Sequence, residues 1–272
     1  MKILKIGSKE LNKIYNRNLC QKKRLEEKVR GIINDVRIYG DEAVIKYTRK
    51  FDGVKLTNRQ LRVSESEISA AYQNITADFI ASLKVVIEKV TKFYRKQLKR
   101  NCRLKEQDGV IVGENLQPLE NVGVYIPSGT APLISTVYMT VLPAKIAGVK
   151  RIALTTPPGK DGLINPHILV TANLLKVDEI YRIGGAQAIA ALAFGTKSIP
   201  KVDKIVGPGN AYVTEAKRQL FGYVDIDLLA GPTELVIIAN RYSNPNFVLA
   251  DLSAQAEHLG GLSILITTSK PL

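Results

Sequence analysis

The stretch KVDKIVGPGNAYVTEAKRQLFGYVDIDLLAGPTE, residues 201–234, holds two glycine-proline turns within one α/β pattern. Gly207-Pro208-Gly209-Asn210 lies between a short apolar run (Ile205, Val206) and a helical pattern, the place where a parallel α/β sheet lets a ligand reach backbone amides. Ala230-Gly231-Pro232-Thr233-Glu234 precedes a second buried-strand pattern at 235–239. Both are expected to be strand-end loops in a nucleotide-fold region, although Gly-Pro turns also close ordinary strands.

Upstream of that stretch the same rhythm repeats. VGVYI (122–126), RIALT (151–155) and EIYRI (179–183) read as strands. The first runs into the loop 127–132 and a helix from about 134 to 147, and Asn165-Pro166 opens a helix to about 176 as N-cap and first helical residue. Gly184-Gly185 leads into AQAIAALAF (186–194), whose small residues suit a helix lying close on a sheet. Strand, glycine loop and helix recurring four times predict a parallel sheet covered on both faces, with ligands at the carboxyl ends of its strands. Downstream, 235–239 is a strand, Asn244-Pro245 opens a helix to His258, and LSILIT (262–267) is a further strand. A sequence stopping just after an interior-type strand is expected to be C-terminally incomplete.

The texture before residue 121 differs. Apolar positions recur at helical spacing over 9–39, Gly40 is a stop, and a second helix starts at Asp41 and ends in the turn Phe51-Asp52-Gly53. A short strand at 61–63 precedes Ser64-x-x-Glu67, a capping box opening one long helix to about residue 100. Asp108-Gly109 between 103–107 and 110–113 predicts a hairpin. The expected domains are 1–120 plus 235–272, a discontinuous and truncated first domain, and 121–234, an α/β domain of nucleotide-binding type.

Composition narrows the function classes. The 272 residues have 45% hydrophobic and 24% charged content with no long uncharged apolar run, so a membrane span is not expected. Two separated cysteines, Cys20 and Cys102, and an N-terminus without a signal-peptide pattern fit a reduced, cytoplasmic setting. The net charge of +14 raises a nucleic-acid surface, but it is concentrated in 1–120, where 26 Lys and Arg face 15 Asp and Glu on helical stretches mixed with glutamate. A solvated lysine-rich face accounts for it, and no nucleic-acid partner is expected.

Few residues could carry chemistry. Gln255 and His258 stand three apart on one helix face and could meet one metal ion; the alternative is a helix-end histidine beside an exposed glutamine. His167, near a helix start, reads as a surface residue. The loops at 127–132, 184–187 and 207–210 could each bring amides to a dinucleotide, although none is GxGxxG, and such loops also serve packing alone. No GxSxG elbow is present.

Several ordered segments, VGVYIPSGTAPLISTV (122–137), GGAQAIAALAFGT (184–196), SIPKVDKIVGPGNAYVTEAKRQ (198–219), DLLAGPTE (227–234) and ADLSAQAEH (250–258), resemble the histidinol dehydrogenase family. DEAVIKYTRKFDGV (41–54) resembles its opening domain. The resemblance implies an aldehyde-dehydrogenase-like fold of incomplete Rossmann-type parallel sheets flanked by helices, with an α-rich N-terminal region. It implies zinc-dependent, NAD-linked oxidation of L-histidinol through the aldehyde to L-histidine, in histidine biosynthesis, by a homodimer. By motif, Tyr125, Gln187 and Asn210 would contact NAD. Thr233, standing where the family usually has serine, would touch substrate together with Gln255 and His258, and those last two would also ligate Zn2+. The family's base and water-activating Glu-His pair, in a PEHLE-like segment, and its remaining metal ligands have no match in these residues, so the chain alone is expected to be inactive. Two other classes stand beside this one: a catalytically dead dinucleotide-binding or assembly relative, and a basic nucleic-acid-binding protein.

Overall fold

The computed structural model describes residues 4, 7–15, 22–99, 101–105, 108–128, 132–230, 234–256 and 261–269. The chain divides into two compact units, Met1–Leu229 and Ala230–Leu272. In chain order the first unit holds α1 (Lys9–Tyr15), α2 (Lys22–Tyr39), α3 (Asp41–Asp52), a 3-10 turn (Asn58–Gln60), α4 (Glu65–Tyr72) and α5 (Ala77–Gln97). The hairpin β1 (Cys102–Lys105) and β2 (Ile111–Glu114) follows. Then come β3 (Asn121–Tyr125), α6 (Ile134–Ile146), β4 (Arg151–Thr156), α7 (Pro166–Leu174), β5 (Glu179–Arg182), α8 (Gly185–Phe194), β6 (Lys204–Val206), α9 (Ala211–Leu220) and β7 (Asp225–Ile226).

The central sheet is parallel throughout, in the order β5-β4-β3-β6-β7. The chain steps outward from β3 to β5, then crosses back over β3 to lay down β6. Strand order therefore reverses between β3 and β6, and the loops leaving these two strands diverge to opposite faces of the sheet. An open α/β sheet offers its ligand crevice at such a point, at the carboxyl ends of the strands.

Alternation along each strand builds two cores. Val122, Val124, Ile152 and Leu154 face a layer that includes Val137 and Val141 of α6 and Ile168 and Val170 of α7. Tyr125, Ala153, Tyr181 and Ile205 face the opposite layer, where Ala188 to Leu192 of α8 and Val213 and Ala216 of α9 pack with Val29 and Val36 of α2 and Val44 of α3. The alanine-rich face of α8 is what lets this helix lie close to β3 and still leave room for α2. The aliphatic positions of α2 and α3 thus complete the core over the sheet rather than forming a separate one.

The predicted strand at 61–63 runs antiparallel along the outer edge of β5: the Val63 amide donates to the Ile180 carbonyl at 2.9 Å and the Arg182 amide to the Leu61 carbonyl at 2.9 Å. This segment covers an otherwise open sheet edge. Arg182 locks it in place, donating to both carboxylate oxygens of Glu67 at 2.6 Å. The Ser64 capping box forms as its spacing dictates, with the Glu67 amide donating to Ser64 Oγ and the Ser64 amide donating to Glu67 Oε2.

Two local features differ from the sequence reading. The single helix expected over 65–100 is two, α4 and α5, because Thr76 caps a new start by accepting the Phe79 amide at 3.3 Å. The fifth strand, β7, is only two residues long, and pairing with Lys204 and Ile205 alone gives it no alternating pattern to read. The hairpin at Asp108-Gly109 forms in the expected place, with Cys102 opposite Glu114 and Lys105 opposite Ile111.

The second unit is one strand-helix-strand crossover, β8 (Glu234–Ala239), α10 (Pro245–Ala256) and β9 (Leu262–Thr267), with β8 and β9 parallel and in register from Glu234–Leu262 to Ala239–Thr267. No helix among the described residues is long and apolar enough to cross a membrane.

Candidate functional site

At the carboxyl ends of the central strands lies a cleft of about 500 Å³, of a size usual for small-molecule sites. Its lining comes from the loop after β3 (Pro127, Ser128), the loop after β4 (Pro157, Pro158), the start of α8 (Gly185, Ala186, Gln187) and the start of α9 (Asn210, Tyr212). The middle of α2 with Ile32 and the end of α3 with Phe51 and Asp52 close it. Tyr125, Gln187 and Asn210, the three residues expected to contact a cofactor, all line this one cleft.

Each is set by its element. Tyr125 ends β3 and is 3% exposed. Its hydroxyl oxygen accepts the Gly185 amide at 3.1 Å, which leaves its own hydrogen to donate. Burial pushes the phenol up to about 12, the Gly185 amide draws it back, and the Asp52 charge adds to the rise, so the group is a neutral donor. Asn210 is the N-cap of α9, its side-chain oxygen accepting the amides of Tyr212 at 3.0 Å and Val213 at 3.1 Å. That use of its carbonyl leaves the side-chain NH2 for a ligand.

Gln187 is different. It is 1% exposed, yet its Oε1 has no hydrogen-bond partner among the described residues. A buried amide oxygen left unpaired costs about 1–3 kcal/mol, which a ligand donor would recover. α8 starts from Gly184 with no side-chain cap, so its first turn presents open amides and the positive end of the helix dipole to the same cleft. No lysine or arginine lines the cleft among the described residues. An anionic group would therefore be held by backbone amides, as glycine loops hold a pyrophosphate.

The loop 207–210 is held from beneath. Gly207 has φ +117°, and a Cβ there would stand 2.1 Å from the Tyr125 carbonyl oxygen, so only glycine fits. Its amide donates to Asp227 Oδ2 at 2.7 Å, and its carbonyl accepts Lys217 Nζ at 2.9 Å. Lys217 itself is 2% exposed and pairs with Asp227 Oδ1. An ion pair between a buried lysine and a partly exposed aspartate thus clips both polar groups of one glycine.

One further residue of the cleft was not read from sequence as a site residue. Asp52, the last residue of α3, lines the cleft; its Oδ2 is buried without a partner among the described residues, and burial pushes its carboxyl up to about 6. The Asp-Gly pair signals only a turn; that the turn returns to the sheet's carboxyl end is a matter of tertiary packing.

The other expected site residues are less accessible to description. Thr233 and His258 lie outside the described residues. Gln255 sits in the last turn of α10, 8% exposed. Among the described residues no group of three His, Cys, Asp or Glu side chains could hold a metal ion, and one amide oxygen does not make a zinc site, so no chemistry is derived through a metal here. His167 is not the surface residue its sequence suggested: it is half-buried, edge-on to Phe79 at 4.8 Å, with Nδ1 3.2 Å from Asn165 Oδ1.

Comparison with known proteins agrees with the motifs. The family model described as histidinol dehydrogenase matches residues 15–272. Histidinol dehydrogenase from Clostridium acetobutylicum is 47% identical over 267 residues, covering 98% of this chain and 62% of the relative. That from Listeria monocytogenes serotype 4b is 53% identical over 250 residues, covering 92% and 58%. The crystal structure of histidinol dehydrogenase from Elizabethkingia anophelis superposes with a TM-score of 0.87 at 42% identity, covering 96% of this chain and 61% of that one. The chain thus spans about three-fifths of the length of the curated relatives it matches, and over nearly all of its own length it belongs to the histidinol dehydrogenase family.

Proposed function

We propose that this chain serves the NAD-linked oxidation of L-histidinol through the aldehyde to L-histidine, the closing steps of histidine biosynthesis, and that the cleft at the switch point receives the NAD. The observation that carries the cofactor reading is Gln187 in the wall of a cleft that the uncapped start of α8 also enters, its buried Oε1 without a partner among the described residues. In this reading the first-turn amides of α8 hold the pyrophosphate, the Gln187 carbonyl accepts a ligand N–H or O–H, the neutral Tyr125 hydroxyl donates, and the Asn210 NH2 donates from the other side of the switch point. When bound, NAD supplies the hydride acceptor; the residues of the cleft bind it, orient it and keep water from its inner face.

The rest of the reading follows the family motifs. Thr233, Gln255 and His258 would approach the substrate, and Gln255 with His258 would give two of the ligands of a Zn2+ site completed by groups outside this sequence. Residues 1–120 with 235–272 would form one domain and 121–234 the cofactor domain of a cytoplasmic homodimer. Removing the alcohol proton and activating water each need a positioned base, which the family carries in the segment unmatched here, so these 272 residues are proposed to bind cofactor without turning over histidinol.

Isothermal titration of the chain with NAD+ tests the cofactor reading. Saturable binding that weakens about tenfold in Gln187→Ala is expected, because that variant forfeits one buried hydrogen bond. Absence of saturable binding, or binding indifferent to Gln187, overturns the proposal.

A further inference from the structure

Asp52 is an expensive residue to keep where it stands. It ends α3, at the negative end of the helix dipole, where a carboxylate is disfavoured. Its Oδ2 is buried without a hydrogen-bond partner among the described residues, and no cation lines the cleft to balance it. The only other ionisable side chains along the described lining are the phenols of Tyr125 and Tyr212. A metal is a poor guest for this carboxylate, since the described lining holds no second acidic, histidine or cysteine ligand.

The guest must therefore bring donors of its own without bringing a full charge of the same sign. Vicinal hydroxyls do this: two O–H groups on one carboxylate. The neighbours suit the rest of a nucleoside. Ile32, Pro157 and Pro158 give the cleft apolar wall for a planar base, and Phe51, its ring stacked on Tyr47 at 5.6 Å with Lys50 Nζ 5.6 Å from its centroid, stands beside Asp52.

We propose that Asp52 accepts the 2′- and 3′-hydroxyls of the adenosine ribose, so that this cleft takes NAD and refuses its 2′-phosphorylated counterpart. The inference rests on the cofactor reading given above and deepens it by naming the residue that selects between the two dinucleotides. A 2′-phosphate would remove one donor and set a dianion against a carboxylate, with no lysine or arginine in the described lining. Selection would come from a helix of the N-terminal region rather than from the loop after β4, whose Asp161 spends its Oδ1 on the Leu163 amide and is not part of the described lining.

The test is titration of the full 272-residue chain with NAD+ and NADP+, in wild type, Asp52→Asn, Asp52→Ser and Gln187→Ala, with circular dichroism as a folding check. Wild type is expected to bind NAD+ at least about 20-fold more tightly than NADP+. Both Asp52 variants should bring that ratio to within about threefold, weakening NAD+ by about tenfold while NADP+ is unchanged or tighter. Two variants guard against one misfolding, and neither takes a partner from the Asp52 Oδ2, which has none among the described residues. If NAD+ binding is weakened by Gln187→Ala but the NAD+ to NADP+ ratio survives both Asp52 substitutions, the role of Asp52 is overturned while the cofactor site stands. If wild type binds neither dinucleotide, or Gln187→Ala changes nothing, the cofactor site falls and the role of Asp52 with it.

Discussion

Replacing Asp52 by asparagine should make the free protein more stable, and only above about pH 5. Burial raises the folded carboxyl from its ordinary 3.8 to about 6. Between those two values the folded state binds more protons than the unfolded state, so unfolding free energy falls as pH rises and levels off above about 6. The full gap corresponds to about 3 kcal/mol at most, at 1.36 kcal/mol per pH unit. Asp52 is only half-buried, and solvent screening reduces this to about 1–2 kcal/mol. Asparagine keeps the shape, carries no charge against the helix dipole and takes no partner from the Oδ2, which has none among the described residues. Urea unfolding of wild type and Asp52→Asn should therefore coincide near pH 4 and separate by about 1–2 kcal/mol in favour of the variant at pH 7.5, with melting temperature higher by about 3–6 °C. A variant that is less stable at pH 7.5, or a difference that does not change between pH 4 and 7.5, would refute the idea that this carboxylate is held at a cost to the fold.

The clip beneath the glycine loop makes two further outcomes measurable. Lys217→Met leaves the Asp227 carboxylate and the Gly207 carbonyl without their cation, and urea unfolding should show a loss of about 2–4 kcal/mol, less than for a wholly buried pair because Asp227 is 26% exposed. Gly207→Ala sets a methyl against the Tyr125 carbonyl at a φ that alanine avoids; a loss of about 2–4 kcal/mol and weaker NAD+ binding are expected, and a melting curve matching wild type would contradict the close approach of the two loops.

Much of the sheet could be read in advance because its signals are local. Val122 to Ile126, Arg151 to Thr155 and Glu179 to Ile183 are β-branched runs bounded by proline or glycine, and each is a strand or ends in one. Asn165-Pro166 and Ser64-x-x-Glu67 cap the helices their spacing predicts. The break at Thr76 is hidden in the sequence because apolar residues continue through it at helical spacing, Ile75, Phe79, Ile80 and Leu83, so periodicity outweighs one threonine. His167 reads as a surface residue because nothing in its own neighbourhood announces Phe79, almost ninety positions away. The cleft was legible in part for the same reason: glycine loops point to strand ends, whereas Asp52 reaches the site only because α2 and α3 pack over α8, a long-range arrangement that a turn signal cannot carry.

The central claim is that the switch-point cleft is where this chain meets its dinucleotide, and hydrogen exchange with and without NAD+ tests it most directly. Saturating NAD+ should slow exchange in the loop after β3, at Gly185 to Gln187 and over Asn210 to Val213, while leaving the β1–β2 hairpin unchanged. Exchange unaffected at the start of α8, or protection confined to segments away from the cleft, would contradict it.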